Sequence, residues 1–280
     1  MADVLITGAS TGIGEATALR LGGRGHRVFA GVRRPADGRR LTAVAGGDHL
    51  TPVALDVTDD AGVAAALAEV SDATGGRLDG VVNNAGIAVG GPLEFLPLED
   101  FRRQLEVNVT GLLAVTQSAL PLLRRAQGRV VLIGSMSGRV AVPMTGAYAA
   151  SKFAVEALAD ALRLELSPWG LGVSLVQPGA VRTPIWDKGR EQVASMADRF
   201  PPDALELYAD GIEGVAAGIE RQEEDGIAPI EVAAAVERAL FAARPRTRVA
   251  VGSDAKVAVA LARVLPDRLK DVLIDRFVRP

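Results

Sequence analysis

The sequence predicts an α/β fold organised around a parallel sheet whose strands are covered on both faces. Two observations carry that expectation. Short β-branched runs, beginning with Val4-Leu5-Ile6, recur without the polar alternation of a half-exposed strand. Between them lie helical patterns such as Glu15 to Leu21 and the alanine-rich Gly62 to Glu69, so strand and helix alternate along the chain. A length of 280 residues suits one large domain of this class or two small ones.

Composition narrows the function classes. Hydrophobic residues at 49% and charged residues at 23% place the chain among ordinary globular proteins. A formal net charge of -3 gives no electrostatic reason to invoke nucleic acid. With no cysteine, disulfides, cysteine nucleophiles and thiolate metal sites are excluded. The two histidines, His26 and His49, lack ligand spacing, so no metal is expected. The N-terminus enters a strand pattern without a basic-then-apolar leader, and no apolar run reaches membrane-spanning length. The expectation is a soluble cytoplasmic protein with no membrane span.

The first strand runs into Thr7-Gly8-Ala9-Ser10-Thr11-Gly12-Ile13-Gly14, and a helical pattern follows to Leu21. Glycines allow a tight turn and close approach of backbone N–H groups to a pyrophosphate. The helix N-terminus adds unpaired donors and partial positive charge. The alternative is a glycine-rich turn without a ligand; the strand–turn–helix context weighs against it. The next strand, Val28 to Val32, ends where a dinucleotide fold meets the adenosine ribose. An acid there would bond a 2′-hydroxyl, but the chain has Val32 followed by Arg33 and Arg34, with Arg39 and Arg40 further along the same loop. Guanidinium groups suit a phosphate, so NADP(H) is expected rather than NAD(H), with Arg33 ahead of Arg34. A solvated basic loop is the alternative.

Tyr148-Ala149-Ala150-Ser151-Lys152 opens a run of helix formers that stops at Ser167-Pro168-Trp169-Gly170. Residues i and i+4 share a helix face, so a phenol and an ammonium stand side by side. A free tyrosine ionises near pH 10, and a neighbouring cation would lower that value. The pair is a sensible acid/base unit, although the spacing alone also occurs by chance.

Thr-Gly-x-x-x-Gly-Ile-Gly at 7–14 with Tyr-x-x-x-Lys at 148–152 resembles the short-chain dehydrogenase/reductase family in its compact single-domain form. Asn83-Asn84-Ala85-Gly86, after Val81-Val82, is similar to the family's fourth-strand motif. The resemblance implies a Rossmann-type doubly wound sheet of seven parallel strands with helices on both faces. It further implies that Asp56, at the end of a third strand read as Val53 to Val57, meets the adenine amino group, with Val57 beside it. Asn83 would brace the sheet, while Asn84, Ala85 and Gly86 would line the cofactor path. Asn108, inside the helical run Phe101 to Pro121, corresponds to a catalytic residue whose side chain perturbs the helix and whose backbone holds a water near the lysine. Ser135, ending the strand from Arg129, would orient substrate, with Ser137 second. Pro178, Gly179, Val181 and Thr183, after the strand Val173 to Gln177, would face the nicotinamide. The glycine turn would bind cofactor through Gly8, Ser10, Thr11, Gly12, Ile13 and Gly14.

On this resemblance the chain is expected to be one domain, 1–280, interconverting a carbonyl and a secondary alcohol with NADP(H). Asn108, Ser135, Tyr148 and Lys152 are the expected catalytic residues; Tyr148 and Lys152 would also touch cofactor. Residues 185–227, with Trp186, Met196, Phe200, Leu205, Leu207 and Tyr208, read either as an apolar lid over a lipophilic substrate or as faces packed on the domain. Glu231 to Ala242 reads as a helix and Thr247 to Gly252 as a seventh strand. The 253–280 extension has apolar residues at helical intervals, and a homodimer or homotetramer is expected. A non-catalytic NADP(H)-sensing regulator on the same scaffold is the rival; the four catalytic residue types present favour an enzyme. A sugar epimerase or dehydratase sharing Tyr-x-x-x-Lys is disfavoured by the glycine spacing.

Overall fold

The computed structural model describes residues 1–278, without the side chains of Ala197, Phe277 and Val278. The last two positions of the 253–280 extension lie outside the described residues. Seven strands form one parallel sheet: β1 Asp3–Ile6, β2 Arg27–Val32, β3 Leu50–Ala54, β4 Gly80–Asn83, β5 Arg129–Ile133, β6 Gly172–Pro178 and β7 Arg248–Val251. Their spatial order is β3-β2-β1-β4-β5-β6-β7, so the order reverses between β1 and β4. That switch point is where open α/β sheets leave a crevice at the strand C-termini.

The helices are α1 Gly12–Gly23, α2 Pro35–Ala45, α3 Asp60–Thr74, α4 Leu98–Leu105, α5 Gly111–Ala126 and α6 Gly146–Leu166. They continue with α7 Ile185–Ala194, α8 Met196–Arg199, α9 Pro202–Leu207, α10 Ala209–Asp225, α11 Pro229–Phe241, α12 Ser253–Val264 and α13 Asp267–Val278. Successive strand residues point to opposite faces, and both faces are apolar. Leu5, Val81, Val130 and Leu175 pack on one side against α3, α5 and α6. Val4, Ile6, Val82, Val131 and Val176 pack on the other against α1, α2 and α11. The unbroken hydrophobic strands of the sequence thus follow from a two-sided core.

Two local expectations are corrected. The third strand lies at Leu50–Ala54, not Val53 to Val57. Pro52 can sit within it, opposite Ala30, because β3 is the edge of the sheet and one side needs no ladder donors. The stretch carrying Arg39 and Arg40 is helix α2 rather than loop. Pro35 starts it at a position where a missing N–H costs nothing, and Gly46 ends it in the left-handed conformation at φ 66°.

Candidate active site

The first two turns of α6 carry Tyr148 and Lys152 beside the C-terminal end of β5. Lys152 is buried at 7% exposure and its Nζ donates to the carbonyl of Ile133, the last residue of β5, at 2.9 Å. The same Nζ lies 5.7 Å from the Tyr148 ring centroid. Burial holds the Lys152 ammonium well below the ordinary lysine value, at about 8. The half-buried Tyr148 phenol is pushed up by burial, and a hydrogen bond with Ser135 works against that shift without overcoming it. The expectation of a phenol made acidic by its lysine neighbour is therefore corrected for this arrangement. Desolvation moves both groups toward their neutral forms, and the ammonium faces the ring and a carbonyl.

Ser135 follows β5 and is buried at 8% exposure. Its hydroxyl accepts from the Ser137 N–H at 3.1 Å, which leaves its proton to be donated elsewhere. Ser137, the competing candidate, thus supplies the backbone group that fixes Ser135.

Asn108 lies in a π-helical turn, Glu106–Thr110, between α4 and α5. Such turns insert a residue into the regular helix ladder. Its Oδ1 accepts from Ile87 N at 2.9 Å, and its Nδ2 donates to Ile87 O and Ser151 Oγ, each at 3.0 Å. Gln104, one turn earlier and fully buried, adds bonds to Val89 N at 2.7 Å and Ile87 O at 2.9 Å. The Ser151 hydroxyl in turn donates to Tyr148 O at 2.7 Å. These amides lock the loop after β4 to the helix that presents Tyr148. Sequence reading missed Gln104 and Ser151, although Gln104 stands four residues before Asn108 and so shares its helix face.

The glycine turn is packed for close approach. Gly8 has φ +64°, and a Cβ there would lie 2.8 Å from Ala85 Cα. A Cβ on Gly14 would come within 2.3 Å of the Gly8 carbonyl. Gly12, at φ +60°, faces Thr183, whose Cγ2 would be 2.9 Å from an added Cβ. Thr7 Oγ1 accepts from Asn84 N at 3.0 Å and Ala85 N at 2.9 Å, and Asn84 Nδ2 donates to Thr7 O and Gly8 O, both at 3.0 Å. The Asn84 side chain therefore secures the glycine turn to β4, whereas Asn83 reaches sideways to Thr116 at 2.9 Å. Thr11, the residue before α1, makes no side-chain cap, while Ser10 and Ile13 are partly buried along the turn. A Cβ on Gly86 would stand 3.3 Å from Asn108 Oδ1, joining this wall of the crevice to the π turn.

Past β2, Arg33 and Arg34 are both exposed. Arg34 grips Asp37 through two bonds, at 2.9 and 3.2 Å. The charge of Arg33 instead acts on Asp56, whose carboxylate accepts Thr58 N at 3.0 Å and Thr58 Oγ1 at 2.8 Å. Burial pushes the Asp56 carboxyl up, but the Thr58 bonds and the Arg33 charge outweigh it and hold the group low. Val57 packs in the core, its carbonyl against Gly111 at the start of α5. Arg40, from α2, pairs with Glu15 at 2.8 Å and donates to the Ser10 carbonyl, so a further guanidinium borders the glycine turn.

On the opposite wall, Pro178 ends β6 and Gly179 N bonds Val251 O at 3.0 Å. Asp254, at the start of α12, accepts Ala180 N at 2.7 Å and leaves no room for a Cβ on Gly179. Val181 forms a bridge with Ile227, and its carbonyl takes the Trp186 indole N–H at 2.7 Å. Asp254 was not anticipated; an aspartate opening a helix ordinarily signals only a cap. Among the described residues no cluster of His, Asp or Glu could hold a metal, and no helix is long and apolar enough to cross a membrane.

Comparison with known proteins gives this geometry a family. The short chain dehydrogenase family model matches residues 2–194. The chain belongs to the short-chain dehydrogenase/reductase family. It is 37% identical over 280 residues to retinol dehydrogenase 5 of Mus musculus, covering 98% of this chain and 87% of that protein. It is 36% identical to 17-beta-hydroxysteroid dehydrogenase type 6 of Bos taurus over 282 residues, with 98% and 87% covered. A short chain dehydrogenase of Burkholderia cenocepacia J2315, crystallised in complex with NADP, superposes with a TM-score of 0.73 at 27% identity, over 100% of this chain and 98% of that one. This dehydrogenase is thus an oxidoreductase of CH–OH/C=O pairs that works with a nicotinamide cofactor. The doubly wound seven-stranded sheet expected from the sequence is the fold it has.

The depressed Lys152 value has a consequence for stability. Between about pH 8 and 10.5 the unfolded chain holds more protons at this lysine than the folded one, so stability rises with pH through that window. Full protonation at pH 7 costs the fold roughly 3 kcal/mol relative to pH above 10.5. Denaturant melts of wild type and Lys152→Met across pH 7 to 10.5 should show this rise in wild type alone. Parallel curves would mean that the ammonium is not desolvated.

Proposed function

We propose that this dehydrogenase interconverts a carbonyl and a secondary alcohol on a lipophilic substrate, using NADP(H). The observation that carries the reading is the convergence of the Ser135 hydroxyl, the Tyr148 phenol and the Lys152 ammonium at the end of β5. Retinol and hydroxysteroid dehydrogenases among the relatives support a lipophilic alcohol or ketone. The NADP held by the Burkholderia cenocepacia neighbour, and the guanidinium of Arg33 past β2, support NADP(H).

The glycine turn fits a dinucleotide: three close approaches that no larger residue permits, and an uncapped helix N-terminus whose N–H groups can take a phosphate. Gly8, Ser10, Thr11, Gly12, Ile13 and Gly14 would cradle the pyrophosphate, Arg33 the 2′-phosphate and Asp56 the adenine. Arg34 is already engaged by Asp37 and would contribute less. Ala85 and Gly86 would line one side of the path, with Pro178, Gly179, Val181 and Thr183 on the other. With Val181's carbonyl taken by Trp186, its N–H is the group left for a carboxamide.

The bound nicotinamide supplies or accepts the hydride at carbon. In reduction, Ser135 donates a hydrogen bond to the carbonyl oxygen and polarises it. Tyr148 gives its proton to that oxygen as carbon is reduced, leaving a tyrosinate beside Lys152. The burial that keeps the phenol neutral keeps it loaded with the proton it must give. The Asn108 side chain is committed to Ile87 and Ser151, so its part in returning a proton falls to its backbone.

Residues 185–227 would cover the substrate. Met196 and Phe200 pack inward, with Phe95 and Ile212 against them, and Gln192 bonds Gly90 N at 2.9 Å and Ala88 O at 2.7 Å. Leu207 is exposed and joins neither arrangement.

NADPH oxidation on a panel of lipophilic ketones, with NADP+ and the alcohols run in reverse, tests the reading. Tyr148→Phe is expected to lower turnover by roughly 100-fold or more, with NADPH affinity nearly unchanged. Substantial activity in that variant would remove the assigned acid. Arg33→Ala is expected to raise the NADPH KM about tenfold or more while NADH shifts little. Equal shifts would reject the 2′-phosphate contact.

A further inference from the structure

Beyond the residues that meet substrate or cofactor, one buried carboxylate stands between all the parts of the site. Glu156 lies on α6 four residues after Lys152 and eight after Tyr148, on the same helix face. Its side chain is 7% exposed. Three donors from three other elements converge on it. Gln177 Nε2, one residue before the Pro178-Gly179 turn, bonds Oε1 at 2.5 Å. Arg139, directly after the short Met136–Gly138 helical turn that follows Ser135, reaches Oε2 at 2.8 Å. Arg248, the first residue of β7, reaches Oε2 at 2.9 Å. The Ser135 loop also presses on α6: a Cβ on Gly138 would stand 2.8 Å from Lys152 O and 3.1 Å from Glu156 Cγ.

We propose that Glu156 is a positioning residue, which fastens the Ser135 loop and the cofactor-facing turn after β6 to the helix bearing Tyr148 and Lys152. The inference rests on the function proposed above. A buried carboxylate is costly unless donors surround it, so these donors are not free to wander. Each belongs to a different element, and the three elements carry Ser135, the 178–183 turn and the end of the sheet. The carboxylate therefore sets distances between groups that must meet within hydrogen-bond reach, where displacements near 1 Å can cost about 100-fold in rate. The surrounding ion pairs supply an internal control. Asp160, one turn further along α6 and 45% exposed, binds Arg248 at 2.7 Å and Arg163 at 2.7 Å, but touches neither the Ser135 loop nor Gln177.

The test compares Glu156→Gln, Glu156→Asp and Asp160→Asn in the full chain, with Tyr148→Phe as reference. Glu156→Gln is expected to lower kcat roughly 10- to 100-fold with the NADPH KM within about threefold of wild type. Glu156→Asp, which keeps the charge, should fall between. Amides of 135–140 and 177–181 should exchange hydrogen faster in Glu156→Gln and stay protected in Asp160→Asn, which should keep kcat within about twofold. Unchanged protection in Glu156→Gln, or an equal kcat loss in Asp160→Asn, overturns the proposal. Hydrogen exchange reads the clamp without turnover, so a Tyr148→Phe variant as active as wild type would sink the proposed chemistry while leaving Glu156 to be decided separately.

Discussion

The Lys152 ammonium gives one hydrogen bond to the last carbonyl of β5 and sits above the Tyr148 ring, in a position water barely reaches. Desolvation there works against its charge, and that one carbonyl is the hydrogen-bond partner set against it. β5 must end with its carbonyl free of a ladder partner at that point. α6 must cross the strand end in one register, because a shift of one residue would turn Tyr148 and Lys152 away together. Gln104, Asn108 and Ser151, which tie the loop after β4 to α6, are all buried, and so is Glu156.

Burial on this scale is tolerable because partners are supplied in bulk. The two amides of the α4 to α5 segment take up the loop after β4, and Ser151 ties them to α6. Thr7 and Asn84 join the ends of β1 and β4, the pair between which strand order reverses. The crevice for a dinucleotide is thus walled by satisfied backbone, and the glycines leave the space that side chains would fill. A site built this way trades fold stability for fixed geometry, a common arrangement where a charge must be kept out of water.

Much of this was legible in the chain. Helical spacing alone put Tyr148 and Lys152 on one face, and strand–turn–helix context identified the glycine turn. The number of strands, seven, came from the family resemblance that these motifs carry, and the sheet has it. Other features were hidden for physical reasons. The third strand was placed three residues late, and its true span includes Pro52, which only an edge position permits; only neighbours in space reveal which donors a strand can spare. The π turn around Asn108 leaves no mark in apolar periodicity. Arg40 was read as loop, yet Pro35 and Gly46 were the start and stop signals that should have marked α2. Asp254 and Glu156 act across 74 and 92 positions of sequence, on Ala180 and Arg248 respectively. Such pairings are set by topology rather than by spacing. Chemical reasoning also misjudged one sign: a cation near a phenol suggests acidity, but shared burial dominates.

That sign can be measured directly. The chain has two tyrosines, Tyr148 and Tyr208, so Tyr208→Phe leaves a single reporter. Carbon-13 NMR of ring-labelled tyrosine in this variant, titrated without nucleotide, reads the Tyr148 phenol alone. The expected result is ionisation above the ordinary tyrosine value of about 10, imposed by burial against the pull of Ser135. Ionisation below that value would contradict a desolvation-controlled site and return the leading role to the lysine charge.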